Sequence, residues 1–157
     1  ISESQLAAIK TINIMSVHSS LMGNMNLLIT KNAIDHLVKN LNFLDFEIAP
    51  ANISSSRKTF LLANLEALCF ISSIPEAREE CAECNVLSAV NKILKNDSLR
   101  QNNERMVEYT SQLIWNVCLE GIDIKEKATK EGLVQTLLLT LEHHKENAMP
   151  MLHLYLQ

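Results

Sequence analysis

The sequence predicts an all-α protein built from repeated helical units, and three observations indicate this fold class. The 157 residues include only three Gly and three Pro, which is typical of helices joined by short connections. Apolar residues make up 47% of the chain and recur mostly at helical spacing, so a sizeable core can form. Similar apolar segments also follow Asn32, Asn85 and Gly132, which indicates an internal repeat.

The first third of the chain is predicted to form two apolar-patterned helices with a short helix between them. These helices cover residues 3–17, 24–31 and 33–43, with a break at 18–23. In the last of them, apolar residues occupy the positions of a buried stripe, namely Ile34, Leu37, Val38 and Leu41. Asn32 is expected to form the junction before it, since Asn enters the left-handed region more readily than most residues.

The middle third begins with an irregular segment at 44–56 and continues with three predicted helices. These helices cover residues 57–72, 76–84 and 86–95. We expect Ser55 or Ser56 to cap the first helix. Pro75 suits the first turn of the second, where its missing N–H costs nothing, and Asn85 is expected to form the junction before the third.

The last third shows the clearest helical pattern. After a predicted loop at 96–103, it contains a helix from Met106 to near Gly121, a short helix at 123–131 and an apolar helix from Gly132 to Leu141. We expect both glycines to occupy the left-handed region, which a residue without Cβ enters at low cost. The tail, residues 143–157, is expected to begin another helix near Pro150.

The repeat becomes visible when the three junctions are aligned. They lie 53 and 47 residues apart and precede NAIDHLVKNL, NVLSAVNKIL and GLVQTLLLTL. The long helices align as well, with residues 67–71 matching residues 113–117. The extra residues of the first interval fall in the 44–56 segment, where insertions are tolerated. The chain is interpreted as a single domain with a partial unit at 1–19, complete units at 24–72 and 76–120, and a truncated unit at 123–157.

This pattern resembles the armadillo repeat, in which a short helix precedes a second helix that begins at Gly and a third helix that ends on a small–apolar–Asn–apolar motif. The second-helix features lie in residues 132–141, and Ile114, Asn116 and Val117 carry the third-helix motif. HEAT repeats have similar periods but two helices per unit, so the predicted short helices favour the armadillo family. The resemblance implies a right-handed α-α superhelix, an armadillo-like solenoid of about three repeats plus a partial unit.

In that family the third helices line a groove, and groove asparagines hold the main chain of an extended ligand through the donor and the acceptor of their carboxamide. Asn116 matches this position, and Phe70 replaces it in the preceding unit. Counting back by helical turns from these two residues gives further candidates on the same surface. The predicted partner-binding residues are Asn116, Gln112 and Tyr109 on one helix, Glu66 and Phe70 on another, and Asn13 in the partial unit.

A merely solvated helix surface is the alternative interpretation of these positions. The import adaptors of the family carry a tryptophan one turn before the asparagine, where this chain has Gln112 and Glu66, so binding of a basic peptide of that kind is not expected. We expect Asn116→Ala to weaken partner binding with little effect on the melting temperature. Trp115, the one tryptophan, is interpreted either as a packing residue between units or as an anchor for a partner.

Neither a catalytic site nor a cofactor or metal site is predicted. Cys81 and Cys84 form a CxxC pair, but a zinc site needs a second pair of ligands, so both are interpreted as packing or surface thiols. His143 and His144 point about 100° apart on a helix and are poorly placed to share a metal. Gly-rich phosphate loops and Gly-x-Ser-x-Gly motifs are missing, so an enzyme is not expected.

The charge pattern limits the partners and the compartment. The net charge is −4 and Lys and Arg do not cluster, so a nucleic-acid partner is not expected. The longest run without charged residues, 11–30, is too polar to span a membrane, and a membrane partner is not expected. Cysteines within helical patterns fit reduced thiols, so we expect a soluble protein of the cytoplasm or nucleus. Because the first residue is Ile, the chain is interpreted as a processed product or a fragment of a longer protein, and the fragment is the favoured interpretation.

The sequence thus predicts a non-catalytic scaffold that binds a protein or an extended peptide in the groove of the third helices. The alternative is a structural segment that packs only against neighbouring repeats of its own protein; a helical enzyme with an unrecognised site is a more distant alternative. A binding module would expose apolar surface in the groove, whereas a structural segment would expose it only at its two ends. The apolar tail, PMLHLYLQ, also predicts self-association through uncapped ends.

Overall fold

The computed structural model of the protein describes residues 3–11, 31–43, 54–101 and 103–144, and these residues form helices without any strand. The helices are α1 (3–11), α2 (Lys31–Phe43), α3 (Ser55–Ser72), α4 (Pro75–Glu83), α5 (Val86–Lys95), α6 (Asp97–Gln101), α7 (Glu104–Cys118), α8 (Ile122–Lys130) and α9 (Leu133–His143). The predicted all-α class is confirmed. Within the described ranges, every helix is too short or too polar to cross a membrane.

The helices recur at the interval that the sequence alignment predicts. Helix α8 begins 47 residues after α4, and α9 begins 47 residues after α5. Helix α7 ends 46 residues after the end of α3. The predicted short helix at 24–31 lies almost wholly outside the described residues, as does most of the predicted 44–56 segment.

The junctions at Asn85 and Gly132 have the predicted left-handed backbone, with φ values of 58° and 83°. The prediction for Gly121 is wrong, because its φ of 178° is extended backbone. Helix α7 already ends at Cys118, with its C-cap Leu119 in the right-handed region, and Gly121 instead precedes α8 as its N-cap. The prediction for Asn32 is also wrong, because this residue lies within the first turn of α2.

Side chains cap the starts of both long helices. Ser54 Oγ accepts a hydrogen bond from the backbone N–H three residues later at 3.4 Å, so the cap of α3 lies before the predicted Ser55 or Ser56. Asn103 Oδ1 accepts from the equivalent N–H of α7 at 3.2 Å. Pro75 is the first residue of α4, as predicted.

A short helix, α6, occupies most of the segment predicted as a loop at 96–103. Asn96 Oδ1 caps its first turn by accepting a hydrogen bond from Leu99 N at 3.1 Å. The Leu99 side chain is buried, and Arg100 is only 4% exposed because its guanidinium donates to Leu94 O at 2.9 Å. These contacts with the core, which helical periodicity over so few residues does not reveal, explain why the polar segment is helical.

The largest helix–helix contact joins α3 to α7, and the two helices run parallel. Tyr109 bonds to Glu66 and Asn116 bonds to Ser72, so residue numbers rise together along both helices. Helix α5 packs against α2, α7 and α9. Apolar side chains from all these helices form one core, in which the predicted stripe of α2 is 3% exposed or less.

Candidate functional site

Five of the six predicted partner-binding residues lie on the parallel helices α3 and α7, and Asn13 lies outside the described residues. Glu66 and Phe70 on α3, and Tyr109 and Gln112 on α7, are at least partly exposed. We call these four residues the α3–α7 face. Helical periodicity on each chain segment and the parallel packing of the two helices together bring them to one surface.

A side-chain hydrogen bond joins the two helices at this face. The Tyr109 hydroxyl donates to Glu66 Oε1 at 3.0 Å. Burial, together with this hydrogen bond, raises the pKa of the Tyr109 phenol above its ordinary value, so the phenol is protonated and remains a donor at neutral pH. The pair helps to maintain the spacing of α3 and α7.

Asn116 lies beneath the face, against α3. The residue is 5% exposed, and its Nδ2 donates to Ser72 Oγ at 3.0 Å and to Cys69 O at 3.3 Å. Its Oδ1 accepts a hydrogen bond from Gln112 Nε2 at 2.9 Å. The carboxamide is therefore directed toward α3 and bonded within the chain, whereas the sequence predicts that it is presented to a ligand.

Phe70 supplies the apolar part of the face, with 39% of its surface exposed. The carboxylates of Glu66 and Glu108 lie near Cys69, the residue before Phe70. Burial raises the pKa of the Cys69 thiol to about 11, and the negative charges of Glu108 and Glu66 add to the effect. The α3–α7 face thus combines an exposed aromatic ring with hydrogen-bonding groups and negative charge.

The four cysteines lie in the described part of the chain as thiols rather than disulfides. Cys81 is fully buried, and burial raises its pKa to about 12. Burial also raises the pKa of Cys118. Since the thiolate is the reactive and metal-binding form, Cys69, Cys81 and Cys118 are poor nucleophiles and poor ligands at neutral pH. The described ranges contain no group of three His, Cys, Asp or Glu side chains placed to hold a metal ion.

A second surface, which sequence patterns did not reveal, lies between α7, α8 and α9. A cavity of about 230 Å³ is present there, and we call it the α7–α9 groove. Its lining includes Trp115 and Cys118 of α7, the C-cap residue Leu119, Ala128 of α8, and Val134 and Leu137 of α9. The groove is therefore mainly apolar.

The same end of the described chain carries the most exposed apolar side chains. Ile122 is 70% exposed and Leu138 is 59% exposed, and the others in this region are Leu119, Val134 and Leu139. The signal in the sequence is the leucine run at 137–139, because consecutive residues of a helix cannot all share one buried face. An unburied apolar surface on α9 could thus have been predicted, although the groove could not.

Comparison of the chain with protein-family models, with curated proteins and with solved structures finds no match. The armadillo resemblance therefore stays a prediction from the sequence.

Proposed function

We propose that this chain is a non-catalytic scaffold module that binds a protein or an extended peptide across the α3–α7 face. The observation that carries the proposal is the exposed aromatic ring of Phe70, which is 39% exposed on a surface shared with Glu66, Tyr109 and Gln112. Aromatic anchors surrounded by polar groups are typical of protein-binding surfaces. The main-chain N–H and C=O groups of an extended ligand would meet both acceptor and donor side chains on this face.

We infer that the architecture is an armadillo-like solenoid, a right-handed superhelix of stacked units. Hydrogen bonds between the units support this inference, because they join residues at similar separations along the sequence. The separations are 43 residues from Tyr109 to Glu66, 42 from Lys127 to Asn85, and 40 from Asn91 to the main chain of Glu131. Similar separations are what a stack produces when each unit contacts its neighbours in the same way.

The charges around the face restrict the proposed partner. Glu66 and Glu108 are close enough to raise the pKa of Cys69, and Arg105 is the cation whose charge acts on Tyr109. Because negative charge predominates, an acidic ligand is disfavoured. The proposed ligand is a polypeptide segment without net negative charge that places an apolar side chain against Phe70; nucleic acids and membranes are not proposed as partners.

We place the module in the cytoplasm or the nucleus. The support comes from its cysteines, which are thiols, and one of which, Cys81, is fully buried in the core. Reduced cysteines of this kind are typical of proteins in reducing compartments.

A structural segment that packs only against neighbouring repeats is the second candidate, and one observation favours it. The apolar side chains around α8 and α9 are more exposed than Phe70, with Ile122 at 70% and Leu138 at 59% against 39%. A module whose role is to stack against further repeats would expose apolar surface at its end rather than on the α3–α7 face.

The two candidates are distinguished by peptides selected by display against the full chain. We would measure the affinity of the selected peptides for the wild type, for Phe70→Asp and for the matched variant Leu138→Asp, which places the same charge on exposed α9. Phe70→Asp is expected to weaken binding about tenfold or more, a loss of ~1.4 kcal/mol, while Leu138→Asp retains the wild-type affinity. Unchanged binding by Phe70→Asp, with a loss only in Leu138→Asp, would support the structural segment instead.

A further inference from the structure

The α7–α9 groove has the size and the lining of a site for a small molecule. Its volume is about 230 Å³. A cavity of roughly 150 Å³ holds benzene, so the groove has space for about nine non-hydrogen atoms. Ligand sites in proteins are concave and lined mainly by apolar side chains, and the groove has both properties.

Apolar surface extends from the floor of the groove to its rim. Leu133 and Leu137 line the groove with buried side chains, and Trp115 lines it while partly exposed. Leu119 and Val134, which also line the groove, are 47% and 41% exposed. Contact with an apolar ligand would remove this surface from water, and such burial is favourable.

A single lysine gives the groove its charge. Lys125 is the only charged residue among the described residues that line it. Burial raises the pKa of the Cys118 thiol and the positive charge of Lys125 acts in the opposite direction, so the ammonium lies close to the lining. The Thr129 hydroxyl donates to Lys125 O at 2.8 Å within α8. The ammonium, rather than this hydroxyl, would therefore donate to an anion.

We propose that the α7–α9 groove binds a small amphipathic carboxylate, whose apolar body packs against Trp115 and Leu137 and whose carboxylate pairs with Lys125. The charge of the lining favours this class over neutral and cationic ligands, because an anion gains an ion pair and meets no carboxylate among the described lining residues. An apolar body of about seven or eight carbon atoms matches the volume of the groove. The proposal goes beyond the scaffold function and concerns a different surface.

Octanoate is a suitable probe, because its chain has this size and it does not absorb where tryptophan does. Trp115 is the only tryptophan and lines the groove. Octanoate is expected to shift the Trp115 emission to shorter wavelength in a saturable manner and to reduce its quenching by acrylamide. It should also raise the melting temperature, since a ligand that binds the folded state stabilises it; an amphiphile that only unfolds the chain would lower it.

Two further probes test the charge of the ligand. 1-Octanol and octylammonium have the same chain length as octanoate, but their head groups are neutral and positively charged. Because Lys125 attracts the carboxylate and repels the ammonium, the affinities are expected to decrease in the order octanoate, 1-octanol, octylammonium.

Matched variants of α8 test the role of Lys125. Lys125→Gln is expected to weaken octanoate binding about three- to fivefold, as for the loss of an exposed ion pair, and to leave 1-octanol binding unchanged. Lys125→Arg is expected to retain the preference for octanoate. Lys130→Gln removes the same charge from an exposed position of the same helix that does not line the groove, and it should bind octanoate like the wild type.

Variants of α9 locate the binding in the groove. Val134→Asp changes a residue of the lining and is expected to weaken the binding of both octanoate and 1-octanol. Leu138→Asp places the same charge on an exposed position outside the lining and should leave both affinities unchanged. Phe70→Asp should also bind octanoate like the wild type, so the result does not depend on peptide binding at the α3–α7 face.

The proposal would be overturned by equal affinities for octanoate and 1-octanol, by equal effects of Lys125→Gln and Lys130→Gln, or by the absence of a saturable shift. A Trp115 emission that moves to shorter wavelength as the protein concentration rises, without octanoate, would overturn it as well, because a second copy of the chain would then cover the groove.

Discussion

Asn116 and Ser72 show how one carboxamide can determine the packing of two long helices. Ser72 Oγ donates to Cys69 O at 3.0 Å while it accepts from Asn116 Nδ2, and both polar residues are 5% exposed or less. Buried polar groups destabilise a fold unless they are hydrogen-bonded. The network is therefore a structural contact between α3 and α7, and Gln112 is more exposed than Asn116.

Asn116→Ala is accordingly expected to lower the free energy of unfolding by about 1–3 kcal/mol, because it removes a donor from the buried Ser72 Oγ and from the partly buried Cys69 O. The measurement is urea unfolding followed by circular dichroism. Glu108→Ala, which truncates an exposed side chain of the same helix, is the control and is expected to change stability by less than about 0.5 kcal/mol. An unchanged stability of Asn116→Ala would instead return this residue to the ligand-binding role that the sequence predicts.

At the scale of helices and their junctions, the backbone conformation distinguishes two glycines that look alike in the sequence. Gly132 has φ 83° and leads directly into α9, as Asn85 with φ 58° leads into α5. Gly121 has an extended backbone, and a Cβ built there meets no described atom within 4 Å. Of these two glycines, only Gly132 therefore needs the conformational freedom of glycine.

Gly132→Ala is expected to destabilise the fold by about 1–2 kcal/mol, because a Cβ is unfavourable in the left-handed region. Gly132→Asn is expected to cost less, since Asn85 already occupies the equivalent position. Gly121→Ala is the matched control, with an expected change of less than about 0.5 kcal/mol. Thermal unfolding of the three variants measures these differences, and an equal loss at both glycines would contradict the assignment of the junctions.

Local patterns predicted most of the helices because helical periodicity and junction chemistry are properties of short segments. The stripe of α2, the start of α4 at Pro75 and the left-handed Asn85 all follow from neighbouring residues alone. Helix α6 was missed because its stability depends on the burial of Leu99, on the hydrogen bond from Arg100 to Leu94 O and on its packing against α5, α7 and α9, none of which a periodic pattern over five residues reveals. The candidate surface was predicted in the same way: counting helical turns placed Tyr109 and Gln112 together.

What sequence reasoning could not supply depends on the packing of helices that are distant in the chain. The orientation of Asn116 is set by acceptors on α3 that lie 44 and 47 residues away. The α7–α9 groove is formed by three helices and has no local pattern of its own. Both features required the relative positions of α3, α7 and α9, which periodicity within one helix does not specify.

At the scale of the whole molecule, exposed apolar surface is unevenly distributed. Among the described residues of the α3–α7 face, the exposed apolar surface is confined to Phe70. In contrast, Leu138 and Leu139 of α9 are 59% and 47% exposed. These two leucines are not among the residues that line the α7–α9 groove. Paired leucines on an exposed helix face favour contact with another apolar surface.

We therefore expect the chain to self-associate through α9 at high protein concentration, because the net charge of −4 provides only modest repulsion between copies. Leu138→Asp is expected to raise the dissociation constant about tenfold or more, since burial of a leucine side chain contributes roughly 1.5–3 kcal/mol. Gln135→Asp adds the same charge to an exposed position of α9 without removing apolar surface, and its effect should be much smaller. Sedimentation equilibrium over a range of concentrations measures all three proteins. A wild type that stays monomeric throughout, or equal weakening of association by both variants, would show that the leucines of α9 do not drive association. A larger loss of association in Leu138→Asp than in Gln135→Asp would instead show that the apolar surface, and not charge, is responsible.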